Sequence, residues 1–266
     1  MNIDYAQAMK KAFTFCLEPK RWLPFFIVDL AFLSVALALI MANSLFFIYL
    51  IAGIQDITLF GNAAVFFLEL LILCIAWLLV GLWISGAVIH QSYKEREFGK
   101  SWKVSRKRYF SLLGVAAVTA IIAFIVAVIP AVGWIISIFV GLVFFFAMQS
   151  VIVKENGFMN ALEDSWKIFK HQPFKVFLMW ILIAVLSLII LAIFSIPLLA
   201  LIFRMVIDIS VGGQVTAATL MSLIYTIENQ LPLLVISGII FVLGMAISRV
   251  FSLKAQTEFY LQLKKK

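Results

Sequence analysis

Long apolar runs separated by short polar islands dominate this chain. Apolar residues run almost without interruption over 23–51, 62–91, 109–129, 134–153, 174–203 and 231–253. A helix crossing a bilayer needs about 20 apolar residues, so each run predicts one span. The islands follow a different period. Over 3–17, Ile3, Ala6, Met9, Phe13 and Cys16 recur at helical spacing with Lys10 and Lys11 off the stripe, which predicts an amphipathic helix lying in the interface. Pro19 ends it, and Lys20, Arg21 and Trp22 mark the membrane edge. Over 95–108, Phe98, Ser101, Trp102 and Ser105 share one face among basic residues. Over 158–170, Phe158, Leu162, Ser165, Trp166 and Phe169 make a third stripe, opened by Asn156-Gly157 and closed by Pro173. Glu163, Asp164, Lys167 and Lys170 read as the solvated face of that helix, which is expected to lie along the cytoplasmic surface.

The connections are short. A polar loop is expected around Gln55, Asp56 and Gly61, and Pro130 to Gly133 reads as a tight apolar turn closing a helical hairpin. Pro197 predicts a kink near the outer end of the fifth span. Ala217, Leu220, Met221 and Ile224 predict an external surface helix ending near Glu228, Asn229 and Gln230, with Pro232 early in the sixth span. The tail to Lys266 continues as an amphipathic helix.

Three segments align in register: Ala12-Phe13 to Trp22, Ser101-Trp102 to Phe110, and Ser165-Trp166 to Phe174. Each places a small residue, an aromatic, a basic stretch and an aromatic ahead of a pair of spans. The predicted architecture is an all-α integral membrane protein, one domain over 1–266. Its six transmembrane helices form three hairpins, each preceded by a cytoplasmic amphipathic interfacial helix, in repeats 1–92, 93–153 and 154–266. Interface chemistry alone also imposes basic and aromatic residues on such loops, so repetition and convergence both account for the register.

Composition excludes a soluble domain: 65% of residues are hydrophobic and 13% charged, too few polar groups to cover a water-facing surface. The formal net charge is +8, but the basic residues flank apolar runs instead of forming a nucleic-acid face. Of 21 Lys and Arg, all but Arg204 fall beside the N-terminus, the second and fourth loops or the C-terminal end. The positive-inside rule then puts both termini in the cytoplasm of a multi-pass cell-membrane protein. The opening residues lack a signal-peptide pattern, so the first span is expected to serve as an uncleaved insertion signal. Cys16 and Cys74 fall in different elements, with neither a disulfide nor a metal site expected.

Candidate chemistry is sparse. Asp29 and Glu69 are the acidic residues well inside spans, where a carboxylate is costly unless paired or functional. Asp29 lies roughly 9 Å in from the cytoplasmic end at about 1.5 Å per residue, and Arg249 lies at a similar depth on the last span. An Asp29–Arg249 pair joining first and last spans is therefore expected, with His90 as an alternative partner. Glu69 sits nearer the outer side, where Arg204 is the cation available to it or to Asp208. Such groups serve either an ion relay or a structural pair. Trp22, Trp102, Trp166 and Phe174 read as interfacial anchors. Small residues at four-residue spacing (Gly133, Ser137 and Gly141; Gly244, Ser248 and Ser252; Gly81 and Ser85) read as helix-packing faces. Lys10, Lys20, Arg21, Lys100, Arg106, Lys107, Arg108, Lys167, Lys170 and Lys175 form basic belts that attract anionic headgroups at about 1 kcal/mol each. No phosphate loop, nucleophile elbow, dinucleotide glycine run or metal-spaced His/Cys set occurs, so no cofactor is expected.

The stretch PAVGWIISIFVGLVFFFAMQSVIVKENGFMNALEDSWKIFKHQPFKVFLMWIL, within 130–190, resembles the YciC-like inner-membrane proteins and the membrane domain found beside glycerophosphodiester phosphodiesterases. The opening PKRWLPFFIVDL looks like related prokaryotic, particularly archaeal, membrane proteins. The resemblance implies a multi-pass membrane protein. In such proteins the phosphodiesterase is a separate soluble domain, for which this chain leaves no room, so that activity is not expected to carry over. The sequence leaves a non-enzymatic scaffold, partner subunit or lipid-organising factor, a transporter or channel, and an intramembrane lipid enzyme. The first has the strongest support. Its expected partners are membrane lipids and a membrane protein or second copy of the chain, not nucleic acid.

Overall fold

A computed structural model describes residues 3–43, 57–129, 132–210 and 217–264, without the side chains of 57–60, 205, 208–210 and 217–229. The loop expected at Gln55 and Asp56, Pro130 of the apolar turn, and the side chains of Asp208 and of 217–229 thus lie outside the described residues. The described helices are α1 (Tyr5–Cys16), α2 (Pro19–Ala42), α3 (Ile57–Tyr93), α4 (Phe98–Ala127), α5 (Gly133–Val143), α6 (Ala147–Val153), α7 (Phe158–His171), α8 (Pro173–Ser210) and α9 (Ala217–Lys264). No strand occurs among the described residues. Six helical stretches are long and apolar enough to cross a membrane: Pro19–Ala42, Gly61–Tyr93, Phe98–Ala127, Gly133–Val153, Pro173–Arg204 and Gln230–Lys264.

Local chemistry explains the helix boundaries. Asp4 caps α1, its Oδ1 accepting from the Gln7 N–H at 2.8 Å. Pro19 and Pro173 begin α2 and α8, positions where a missing N–H costs nothing. Those two prolines separate α1 from α2 and α7 from α8. The segment from Phe98 to Ala127 has no proline, and there the structure departs from the sequence reading. Residues 98–127 form one unbroken helix, so no separate helix precedes the third span.

Two further boundaries differ from expectation. The fourth span is broken at Phe144–Phe146 into α5 and α6. No glycine or proline stands there to announce it. Ser165 of α7 occupies the break: its hydroxyl accepts from the Phe146 N–H at 3.2 Å and donates to the Val143 carbonyl at 2.8 Å, satisfying backbone groups the break frees. The external helix expected to end near Glu228 is instead continuous with the sixth span as α9, with Pro232 inside it. Proline there removes one backbone bond without ending the helix.

The two termini lie together. The Asp4 N–H donates to Gln262 Oε1 at 3.0 Å, and the rings of Phe13 and Phe251 stand 4.7 Å apart, binding α1 along α9. Around them gathers the best-packed core, including Ala8, Phe15, Phe25, Val88, Phe146 and Tyr260. Span four is the interior one. Half of its most apolar stretch is buried (50%), against 6% for that of α3.

The small-residue faces divide. Gly244 meets Phe194 so closely that an added Cβ would stand 2.3 Å from the Phe194 Cβ. Below it Ser248 donates to the Ser187 carbonyl at 3.1 Å, and the Ser187 and Ser252 hydroxyls share a 2.7 Å hydrogen bond. That face joins α8 to α9. Gly133 abuts the Val126 carbonyl, and Ser137 donates to the Ala123 carbonyl at 3.3 Å. Gly141 faces open space, so the face on α5 ends at Ser137.

Candidate functional site

Asp29 stands one turn beyond Phe25 on α2 and is 4% exposed. Its Oδ1 accepts from Arg249 Nη1 of α9 at 3.2 Å and from Trp77 Nε1 of α3 at 2.7 Å. The structure thus brings Asp29 and Arg249 together and adds Trp77, which the sequence reading had not singled out. The Arg249 guanidinium lies over the rings of Phe25 and Trp77, 5.1 Å from each centroid, an arrangement that stabilises a cation away from water. Asp29 Oδ2 is buried without a hydrogen-bond partner. His90 is not the partner of Asp29; it is buried, and its Nδ1 has none. Glu69 is exposed on α3, and no ion pair reaches it among the described residues.

Beside this pair runs a groove of about 510 Å³ between α3 and α4. Trp77, Leu78 and Gly81 line one wall, and Leu113, Ala116 and Ala120 the other. Met148 of α6 and Arg249 close it. Among the described residues Arg249 is the only charged side chain on that lining.

A second polar centre lies outside the spans. Asp164 of α7 accepts from the Lys154 ammonium, from Ser150 Oγ at 2.8 Å and from the Tyr260 hydroxyl at 2.8 Å. Partial burial works against its charge, but these donors together outweigh it and hold its pKa below the usual carboxylate value. Asp164 is therefore a junction of α6, α7 and α9 and not part of a solvated face. Glu163 and Lys167 do form an exposed pair at 2.6 Å.

Arg21 also differs from the belt residue it resembles in sequence. It is 2% exposed, bound to Glu18 at 3.1 Å, Gln91 Oε1 at 3.1 Å and the Glu95 carbonyl at 3.3 Å, with the Phe15 ring 4.5 Å away. It locks α2 to the end of α3 and is unavailable to lipid. Lys254 is likewise buried, donating to the Ser92 carbonyl, Glu95 and Glu258. Arg108 pairs with Glu155. By contrast Lys103, Arg106 and Lys107 on α4 are exposed, with no acidic partner among the described residues, and Phe110 below them is 82% exposed.

Of the aromatic anchors, Trp102 packs edge-on against Trp83 at 5.2 Å and Trp22 against Phe26 at 5.9 Å, both half-buried. Trp166 and Phe174 are exposed. Among the described residues no three His, Cys, Asp or Glu side chains gather as a metal site. Comparison with family models, with curated proteins and with solved structures returned no match.

Proposed function

We propose that the chain is a non-enzymatic membrane factor that organises lipids at the face holding both its termini. In this reading the six apolar helices are three hairpins in the cell membrane. Segments 3–17, 95–108 and 158–170 border the cytoplasmic leaflet, the side on which 20 of the 21 Lys and Arg fall. The observation that carries it is the exposed stripe of Lys103, Arg106 and Lys107, without a salt-bridge partner among the described residues, with Phe110 one turn further along α4. Cations at the interface attract anionic headgroups at about 1 kcal/mol each, and an exposed ring beneath them suits the headgroup–chain boundary. The resemblance to multi-pass inner-membrane proteins is in keeping with this placement.

The test is lipid enrichment around the full chain in vesicles that mix phosphatidylglycerol with phosphatidylcholine, read by energy transfer from the protein's tryptophans to labelled lipid. Replacing Lys103, Arg106 and Lys107 together by Gln should abolish the preference for phosphatidylglycerol. An unchanged preference would sink the proposal.

Transport of a small solute or lipid is the second reading, and the break at Phe144–Phe146 favours it, since interrupted helices often line transport sites. Ser165 fills that break from the side, however, which suits a fixed bend better than a moving gate. Flux across sealed vesicles that responds to Ser165→Ala would select transport.

A further inference from the structure

The groove between α3 and α4 has two features that a simple packing gap lacks. Its walls are shaped by small residues, yet the helices do not close on them. Small residues on facing helices ordinarily permit close approach, and elsewhere in this protein they do, as at Gly244 against Phe194. At Gly81 an added Cβ would meet nothing within 4 Å, and Ala116 and Ala120 line the opposite wall of the same open space. The second feature is Arg249. Among the described residues only its Nη1 has a hydrogen-bond partner, Asp29. The other guanidinium N–H groups are unbonded, are not sealed in the protein, and belong to a side chain that is 27% exposed and lines the groove. Hydrocarbon offers them no acceptor, and an unmet donor there is costly.

The register of α3 against α4 fixes the depth. The Tyr109 hydroxyl donates to the Leu79 carbonyl at 3.1 Å, and Ser105 to the Trp83 carbonyl. Trp77, which carries Arg249 on its ring, is two residues beyond Leu79, about 3 Å along the helix. The guanidinium therefore lies about one turn inward of the basic turn Arg106–Arg108, close to the level of Phe110. The apolar wall from Leu113 to Ala120 continues inward from it for about 10 Å.

We infer that this groove binds one membrane phospholipid, its phosphate accepting from the free N–H groups of Arg249 and one acyl chain lying along Leu78, Gly81, Ala116 and Ala120. The phosphate completes the guanidinium's hydrogen bonding, which the single contact to Asp29 leaves unfinished. The site is distinct from the surface stripe of the proposed function, which lies outside the groove and does not contribute a residue to it.

The experiment uses the full chain in mild detergent, with phosphatidylglycerol and phosphatidylethanolamine supplied and retained lipid read by native mass spectrometry. Wild type should hold one phospholipid through delipidation that strips the rest. Gly81→Leu fills the groove without touching Asp29 or Arg249 and should release it. Arg249→Lys keeps the charge but loses the fork, and should weaken retention about tenfold or more. Leu188→Ala, on an exposed face of α8, and the triple Gln variant at Lys103, Arg106 and Lys107 should leave the bound lipid in place. The last control separates this site from the surface reading. Retention of a free fatty acid instead of a phospholipid, no lipid held beyond the surrounding shell, or a Gly81→Leu protein that keeps its lipid would each overturn the inference.

Discussion

Asp29 and Asp164 are both carboxylates held by a basic side chain, yet they are built on opposite principles. Asp164 uses both oxygens and collects an ammonium and two hydroxyls. Asp29 uses one oxygen for two donors and leaves the other buried and unbonded. Asp164 lies outside the spans and is partly open, and although burial works against its charge, its three donors together outweigh that cost. Asp29 lies within a span, where desolvating both partners offsets most of their attraction. Its pair joins α2 to α9 across 220 residues of sequence and so specifies which helices meet more than it adds stability. The difference teaches that the same residue type latches the polar end and registers the apolar one.

The largest expected effect follows from that asymmetry. Arg249→Ala strands Asp29 without its cation and should destabilise the protein by about 3–5 kcal/mol. The double change Asp29→Leu with Arg249→Leu should cost far less than the single one, because no charge is left behind. Unfolding in mixed micelles under rising denaturing detergent measures both. A double variant as unstable as the single would mean that the pair contributes stability like its counterpart at Asp164, and the contrast would fail.

A smaller effect is expected at Asp164. Asp164→Asn should cost about 1.5–3 kcal/mol at neutral pH, the range for hydrogen bonds to a charged group. The pH dependence has a definite sign. Because the folded pKa is depressed, the carboxylate's contribution is fully present above the unfolded value of about 4 and is lost as pH falls through the folded one. Wild type and Asp164→Asn should therefore converge in stability toward acid. Curves that stay parallel between neutral pH and strong acid would show that the latch does not titrate, and that Asp164 resembles a neutral packing residue.

The features readable from sequence are those set by one-dimensional chemistry. Six apolar runs gave six candidate spans because crossing a membrane depends on length and composition, and Pro19 and Pro173 marked helix starts because proline acts locally. Matching Asp29 with Arg249 needed only their depths, counted from the same end. Trp77 was not legible, since choosing it requires the register of α2 against α3, and helices apolar on every side carry no stripe that encodes register. The break at Phe144–Phe146 was hidden for a similar reason: it is stabilised by Ser165, a residue on another helix. Arg21 and Asp164 looked like solvated charges because burial of a charge depends on partners (Gln91 and Glu95; Tyr260) supplied from far along the chain.

The smallest effect is also the sharpest test of that hidden register. Trp77→Phe removes the indole N–H that reaches Asp29 Oδ1 while leaving an aromatic face for the Arg249 guanidinium. It should cost about 1 kcal/mol, the net worth of one buried hydrogen bond. Measured again in an Asp29→Leu background, where the acceptor is gone, the same change should cost close to nothing. A coupling of that size ties α3 into the junction of α2 and α9 and makes Asp29 a three-helix register mark. If instead the cost is the same in both backgrounds, Trp77 acts by filling space. The under-bonded Asp29 would then specify only two helices, and the contrast with Asp164, which joins three, would be greater than the structure indicates.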